Sequence, residues 1–498
     1  MERLTPLEES FERWRKRVGL ALAPLVFGGI LLAEFNGLTP QAHRLAAVMA
    51  AVVVLWITEA LPMPVTAMAG ASLCVMLRVA PAITVFSPFA DPLMFLFIGS
   101  FILARALFTH RLDRRFAFGV LSMKWVGARP SRILFGFGAV TAFISAWISN
   151  TATTAMMYAI GMSILAFLFD PRRERSAQLH LRYATALMLI TTFAASVGGL
   201  ATPIGTAPNL IGLGYIKESL AIDISFFQWM TIGVPVVVAL YLFMFVYLNF
   251  FCPAGVKEIP GSHEMLSEER ARLGPWTRGQ CSALAAFLIT IALWVVPGLF
   301  SLALGSEDPT YKLLRDCLPE SVAAMVGVTL LFLLPGDGGE RAMTWREASQ
   351  IDWGVVLLYG GGFALGSLSN STGLAAAVGH GLTSLLPIDG EWMMLVAATA
   401  VAVMVSESTS NTASANIVVP VVIAIAQAAK IDPLAPAIGA TLGSSLGFML
   451  PVSTPCNAIV YGSGYVPLGR MIRYGLLLDI AGVVVVVALV WLIVPFWR

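Results

Sequence analysis

The chain has 498 residues, of which 58% are hydrophobic and 12% are charged, and its mean hydropathy is +0.82. These values exclude an ordinary soluble protein, because soluble chains carry about twice that share of charged residues. The net charge of +2 gives no indication of a nucleic-acid partner. Apolar runs of membrane-spanning length recur along the sequence and predict an all-α polytopic membrane protein.

The first apolar run follows a basic segment that contains Arg13, Arg15, Lys16 and Arg17. We predict no cleavable signal and a cytoplasmic N-terminus in the cell inner membrane, because Lys and Arg are retained inside. Sides assigned alternately place most of the 31 Lys and Arg residues in inside loops, which favours an odd number of crossings. The five cysteines are scattered and are interpreted as core or lipid-facing thiols.

Two repeats follow the first span in the predicted organisation, and the second repeat has the opposite orientation in the membrane. The predicted parts are an N-terminal segment with the first span (1–40), repeat 1 (41–252), a cytoplasmic linker (253–280) and repeat 2 (281–498). The predicted spans cover 18–34, 45–56, a segment ending near Arg78, 92–107, 229–251, 283–299, 321–334, 353–367 and 472–496, with a basic surface stretch at 111–132.

Two apolar segments, at about 133–169 and 392–429, are interrupted at their centres by Ser-Asn-Thr. One helix of that length would be too long for the bilayer, and its most polar part would lie at mid-membrane. We predict a re-entrant hairpin in each case, with the triplet at the tip. Irregular backbone at that depth requires surrounding protein or a watery cavity.

Each hairpin is followed by a helix broken by Pro and Gly, at about 183–215 and 436–461. The Ser-Asn-Thr triplets repeat at an offset of 261 residues, and the breaks repeat at an offset of 248, which pairs Asn209 with Asn457. Paired interruptions in inverted repeats are typical of the binding sites of secondary transporters. One triplet alone would fit ordinary interhelical packing.

The two triplets and the two breaks define four polar stretches, at 141–160, 191–212, 401–420 and 441–465. Their polar character comes from Ser, Thr, Asn, Gly and Pro, and they contain no Lys, Arg or His. New helix N-termini suit an anion, and freed carbonyl oxygens suit a hard cation such as sodium. A multivalent anion held without a basic side chain would be costly unless cations accompany it. Protons could neutralise the anion instead, so sodium is the weaker step of this inference.

Glu407 is the one acidic residue in these stretches, and Ala146 stands at the comparable position of the first half. An intramembrane carboxylate is a candidate functional group. A buried Glu that is hydrogen-bonded to the hairpin backbone is an equally good interpretation.

The motifs Trp-Ile-Ser-Asn-Thr-Ala-Thr (147–153), Thr-Pro-Ile-Gly-Thr-Ala-Pro-Asn (202–209), Glu-Ser-Thr-Ser-Asn-Thr-Ala (407–413) and Leu-Pro-Val-Ser-Thr-Pro-Cys-Asn-Ala-Ile (450–459) resemble those of the divalent anion/sodium symporter (DASS) family. This family comprises sodium-coupled di- and tricarboxylate carriers. The resemblance implies about eleven transmembrane segments plus two hairpins, a homodimer, and a transport domain that moves as an elevator against a scaffold.

The resemblance also implies two sets of site residues. Substrate contacts would fall on Ser149, Asn150, Thr151, Ser410, Asn411, Thr412, Thr454 and Pro455. One sodium ion would use Ser145, Ser149, Asn150 and Gly198, and the other would use Ser406, Thr409, Asn411 and Ser453. Cys456 and Ala207 depart from the proline that is common in the family at each position.

We therefore predict a sodium-coupled carrier of small di- or tricarboxylates, with a C4-dicarboxylate such as succinate as the substrate. A sodium-independent exchanger or a sulfate carrier on the same scaffold is the first alternative. A membrane enzyme would need partners for Glu407 and a serine, and the polar stretches contain no His, Lys or second acid. A cation/proton antiporter would rest on Glu407 alone.

Overall fold

The computed structural model describes residues 6–33, 35, 37–168, 181–259, 261–305, 308–383 and 390–497. Within these ranges the regular structure is helical, apart from one isolated bridge between Pro335 and Arg341. The α-helices are α1 (Pro6–Leu32), α2 (Pro40–Thr58), α3 (Met63–Met76), α4 (Ala82–Phe86), α5 (Pro92–Thr109), α6 (Leu112–Leu121), α7 (Pro130–Ser145), α8 (Asn150–Leu168), α9 (Leu181–Gly198), α10 (Ala207–Leu220), α11 (Phe226–Phe251), α12 (Ser262–Arg272), α13 (Arg278–Leu304), α14 (Pro309–Cys317), α15 (Glu320–Leu333), α16 (Trp345–Ala348), α17 (Trp353–Thr372), α18 (Leu374–Thr383), α19 (Glu391–Ser408), α20 (Asn411–Ala428), α21 (Leu434–Gly443), α22 (Pro455–Tyr461) and α23 (Leu468–Ile493).

Local sequence signals set several of these boundaries. The α11 helix begins after Ser225, whose hydroxyl accepts the Gln228 N–H while the Gln228 side chain accepts the Ser225 N–H. The α2 helix begins with Pro40 after the capping residue Thr39, and it ends at Glu59 in the left-handed conformation. These caps satisfy backbone groups that a membrane interior would otherwise leave unpaired.

Nine helices in the described ranges are long and apolar enough to cross a bilayer. The prediction of an all-α polytopic membrane protein is therefore confirmed. The number of complete crossings, and the opposite orientation of the repeats, stay predictions, because several of these helices are arms of the interrupted segments.

The hydrophobic interior forms two separate clusters. The larger cluster includes the interrupted and broken helices together with α5, α11, α13, α15 and α23. The smaller one is built from α2, α3 and one face of α17, and Leu45, Trp56 and Leu365 are among its buried members. The other face of α17, with Tyr359 and Phe363, belongs to the larger cluster. A cavity of about 330 Å³ lies between α2, α17 and α18 on one side and α10 and α20 on the other.

The basic surface stretch contains the short helix α6, and the hydrophilic linker contains α12, which the sequence did not predict. The linker packs back onto this surface: the Ile259 N–H donates to the Ala128 carbonyl at 2.8 Å, and Arg270 donates to the Ser122 hydroxyl. The charged loop predicted after α8 lies mostly outside the described residues.

Candidate binding site

The two interrupted segments each form a pair of helices joined by a short loop. In the first, α7 ends at Ser145 and α8 begins at Asn150. In the second, α19 ends at Ser408 and α20 begins at Asn411. The Ser-Asn-Thr triplets lie at these junctions, as the interruptions in the sequence predicted.

The same side-chain contact occurs at both junctions. The Ser145 hydroxyl donates to the Asn150 carboxamide oxygen at 2.8 Å, and the Ser406 hydroxyl donates to the Asn411 carboxamide oxygen at 2.8 Å. Both serines are fully buried. Each contact places a hydroxyl oxygen beside a carboxamide oxygen, which is a donor set that suits a hard cation.

The two helix breaks are also held by matching contacts. The Asn209 carboxamide donates to the carbonyls of Gly199 and Thr202. The Asn457 carboxamide donates to the carbonyls of Gly447 and Leu450, at 3.0 and 2.9 Å. The four acceptor residues are related in pairs by the offset of 248 residues. In each break, the Asn side chain donates to two carbonyls that would otherwise lack a hydrogen bond, because the helix is interrupted there.

A glycine of each break lies against the Asn of the corresponding junction. A Cβ added to Gly199 would lie 2.4 Å from the Asn150 carboxamide oxygen. A Cβ added to Gly447 would lie 3.4 Å from the Asn411 carboxamide oxygen and 3.1 Å from the Ser406 hydroxyl. The resemblance had suggested the neighbouring Gly198, whose Cβ would collide with the backbone of α7. Gly199 and Gly447 are separated by the same offset of 248 residues, so the repeat in the sequence was the signal that could have identified both.

Glu407 connects the second junction to the second break. Its carboxylate accepts the Met449 N–H at 2.7 Å and the Ser453 hydroxyl at 2.6 Å. Of the two interpretations of Glu407, these contacts favour the buried acceptor of backbone and hydroxyl donors. They also engage the hydroxyl of Ser453, which had been assigned to the second cation.

Asp479 on α23 is a buried acid that the sequence analysis did not single out. Asp479 is 4% exposed, and the backbone N–H of Phe448 lies near its carboxyl group, although neither carboxyl oxygen makes a well-aligned hydrogen bond with the described residues. The side chain interacts with Glu407. No motif marks this residue, because it lies within an otherwise apolar span.

The two halves meet at the polar breaks. The α22 helix packs against α8 and α9, and α10 packs against α20 and α21. The Cys456 sulfur lies 4.0 Å from the Thr151 hydroxyl, and the Thr192 hydroxyl donates to the Asn457 carboxamide oxygen at 2.7 Å. Both contacts join the first half to the second break, so the four polar stretches form one connected region.

The remaining predicted site residues differ in accessibility. Ser149, Thr151 and Pro455 are exposed, whereas Asn150 and Thr454 are buried. Ser410, Asn411 and Thr412 are half-buried. The Ser410 and Thr454 hydroxyls accept N–H groups at the starts of α20 and α22. The Thr409 hydroxyl donates to the Val405 carbonyl within its own helix at 2.7 Å.

No basic side chain lies in the four polar stretches, so an anion would face only helix N-termini, hydroxyls and carboxamides. The oxygen pairs at Ser145–Asn150 and Ser406–Asn411 would favour cations beside it. A duplicated polar site without basic side chains, within an all-helical membrane protein, is typical of a secondary transporter.

The chain belongs to the family described as "sodium:sulfate symporter transmembrane region", which it matches over residues 12–498. It is 30% identical over 484 residues to the sodium-dependent dicarboxylate transporter SdcS of Staphylococcus saprophyticus, covering 96% of this chain and 91% of that protein. The SdcS protein of Staphylococcus aureus is 28% identical with the same coverage. The resemblance to the DASS family is thereby confirmed, as is the prediction of a transporter rather than an enzyme.

Two solved structures share the fold at low sequence identity. The YdaH transporter of Alcanivorax borkumensis has a TM-score of 0.53 at 13% identity, covering 98% of both chains. MtrF of Neisseria gonorrhoeae has a TM-score of 0.51 at 13% identity, covering 91% of this chain and 95% of that one. These likenesses support the helical architecture.

Proposed function

We propose that the chain is a sodium-coupled symporter that imports small di- or tricarboxylates, with a C4-dicarboxylate such as succinate as its substrate. The observation that carries this proposal is the matched pair of oxygen clusters, Ser145–Asn150 and Ser406–Asn411, in a site without basic side chains. Two cations bound there would offset the charge of a dianion. The sodium dependence and dicarboxylate specificity in the names of the SdcS relatives point the same way.

In this proposal, substrate contacts are made by the Ser-Asn-Thr triplets, Thr454 and Pro455. The first sodium ion is held by Ser145, Ser149, Asn150 and backbone at Gly198 or Gly199. The second is held by Ser406, Thr409, Asn411 and backbone near Gly447, with Ser453 acting through its contact with Glu407.

The separate core cluster of α2, α3 and α17 supports an elevator mechanism, in which this cluster is the fixed scaffold. The cavity between α2 and α20 leaves room at the surface along which the two bodies would slide. We propose that the protein works as a homodimer in the inner membrane, with its N-terminus in the cytoplasm.

The test is the coupling between sodium and substrate. A higher sodium concentration should lower the apparent dissociation constant of succinate. Succinate should lower the dissociation constant of sodium by the same factor, since the coupling between two binding sites is reciprocal. Calorimetry on the purified protein, with choline as the replacement cation, measures both. A succinate affinity that stays flat as sodium is replaced would exclude the symporter and favour the exchanger. Binding of sulfate but not succinate would assign the family's sulfate activity instead.

The assignment of both junctions is tested by Asn150→Ala and Asn411→Ala. Each change removes a carboxamide from a site without basic side chains, and the loss of about 1–3 kcal/mol per hydrogen-bonding partner predicts roughly tenfold weaker binding or more. Uptake into proteoliposomes should nearly cease for both variants. The control is Asn249→Ala, since Asn249 is exposed near the end of α11 and lies outside the polar stretches. Normal uptake by folded Asn411→Ala protein would make the second junction purely structural.

A further inference from the structure

A cavity of about 490 Å³ lies beside the first hairpin, on the α8 side of its tip. One wall is the turn between α5 and α6, with Arg105, Arg111 and Arg114. The other wall is α8. The proposed sodium and substrate residues do not line it.

The α8 wall connects this cavity to the tip of the hairpin. Thr151, Ala155 and Ala159 are exposed and recur every four residues, so they lie along one stripe of the helix. The stripe is about 12 Å long, from the rise of 1.5 Å per residue. Because the exposed residues of this stripe are small, no bulky α8 side chain of the stripe lies between the cavity and Thr151.

The opposite wall carries more cationic than anionic side chains. In the described part of the chain, the guanidinium groups of Arg111 and Arg114 have no hydrogen bond or ion pair, although both feel the charge of Asp113. Arg111 is held at the turn by a left-handed backbone with φ of 54°. Arg105 donates to the side chain of Gln350. The residues that line the cavity include three arginines and one acid, Asp113, so the lining is net positive, with Glu347 near Arg105 outside it.

We propose that this arginine cavity is a second anion site, where a dianion is held before it reaches the hairpin tip. The identity of the dianion as a dicarboxylate rests on the proposed function, and the positive cavity itself does not. Arginine suits this task because its planar guanidinium group forms bidentate hydrogen bonds with carboxylates. The main site lacks basic groups, so the cavity supplies the attraction that raises the local concentration of substrate. Such steering increases association rates about tenfold or more and weakens with salt.

The test uses a thiol placed in the cavity by Ala155→Cys in purified protein. Labelling at that position is followed by mass spectrometry, so native cysteines do not interfere. The anionic sulfonatoethyl methanethiosulfonate should react faster than the cationic trimethylammonioethyl reagent, after correction for their rates with free cysteine. Adding Arg111→Gln and Arg114→Gln should lower this ratio about threefold to tenfold, and high salt should remove the difference.

The matched control is Arg272→Gln with Arg346→Gln, which removes two arginines that do not line the cavity. This pair should leave the ratio unchanged. A ratio that falls equally in the control, or that ignores Arg111→Gln and Arg114→Gln, overturns the proposal. A ratio that depends on the fraction of anionic lipid and is insensitive to added succinate also overturns it, because the arginines would then bind lipid headgroups.

Two further measurements distinguish a wrong symporter proposal from a wrong anion-site proposal. The same labelling in Asn150→Ala, Asn411→Ala protein reports the cavity without transport, and charge selectivity should persist there. In transporting protein, Arg111→Gln with Arg114→Gln should raise the apparent KM for succinate several-fold at low salt while the maximal rate is kept. A fall in maximal rate at unchanged KM would contradict an anion-gathering role.

Discussion

At the scale of single residues, Glu407 fastens the second junction to the second break through the Met449 N–H and the Ser453 hydroxyl. Glu407→Ala leaves the Met449 N–H unpaired, whereas the Ser453 hydroxyl keeps the backbone carbonyl of residue 407 as an acceptor at 3.1 Å. An unpaired buried donor costs about 1–3 kcal/mol. We expect a clearly lower melting temperature in detergent and weak sodium protection. Glu407→Gln retains an acceptor oxygen and should recover most of the melting temperature. If Glu407→Gln folds well yet loses sodium dependence entirely, the carboxylate is a functional group after all.

Asp479 is buried beside the Glu407 side chain, and in the described part of the chain its carboxyl oxygens make no well-aligned hydrogen bond, although the Phe448 N–H lies near them. A charge in that position would be costly, so the neutral isostere Asp479→Asn should keep the fold and match or exceed the parent in melting temperature. The melting temperatures in detergent of Asp479→Asn, of Glu407→Gln and of the double variant provide the measurement. A strongly destabilised Asp479→Asn protein would mean that the carboxyl group itself makes an essential contact.

At the scale of elements, each break needs a glycine, but the two are unequally crowded. A Cβ at Gly199 would lie 2.4 Å from the Asn150 side chain, whereas the nearest atom at Gly447 is 3.1 Å away. Gly199→Ala should therefore abolish uptake by displacing Asn150, and Gly447→Ala should reduce it more mildly. Gly381→Ala is the control, since its Cβ would meet open space. Equal effects of the first two changes would contradict the asymmetry.

The surface helix α6 contains Asp113, whose pKa burial raises to about 6, although Arg114 and Arg111 oppose the shift. The folded protein holds this proton more tightly than the unfolded chain, so stability falls as pH rises from about 4 to about 6 and stays lower above it. Asp113→Asn should raise the free energy of unfolding at pH 8 by up to about 3 kcal/mol, and the melting temperature with it. The gain should vanish near pH 4. A gain independent of pH would point to packing instead.

Sequence signals predicted these elements unevenly. The junctions at Ser149 and Ser410 stood out because polar triplets interrupt apolar runs. The α12 helix was missed because a short hydrophilic helix carries no membrane signal and is held by packing on the surface. The acceptor role of Glu407 was left open, since only tertiary structure decides which donors face a carboxylate.

At the scale of the whole molecule, the opposite orientation of the two repeats remains a prediction. A cysteine at Asp432, after α20, should react with a membrane-impermeant reagent added outside intact cells, and one at Glu264 in α12 should be protected. Both positions lie in loops or surface helices, so labelling after lysis provides the control for exposure. The reverse pattern would refute inverted repeats. The cysteine test in the charged loop after α8 concerns residues that the structure mostly does not describe.

The hydrogen bond from Thr192 to Asn457 bears on the descent of the chain. The equivalent contact would join residue 440 to Asn209, but that residue is Ala440, and the Asn209 carboxamide oxygen has no partner among the described residues. Two identical copies of one ancestral half would have treated both asparagines alike. The contact at Asn457 and its loss at Asn209 are what independent change in two copies of a repeat would produce. The two breaks are thus alike in backbone support and different in the chemistry of one side-chain oxygen.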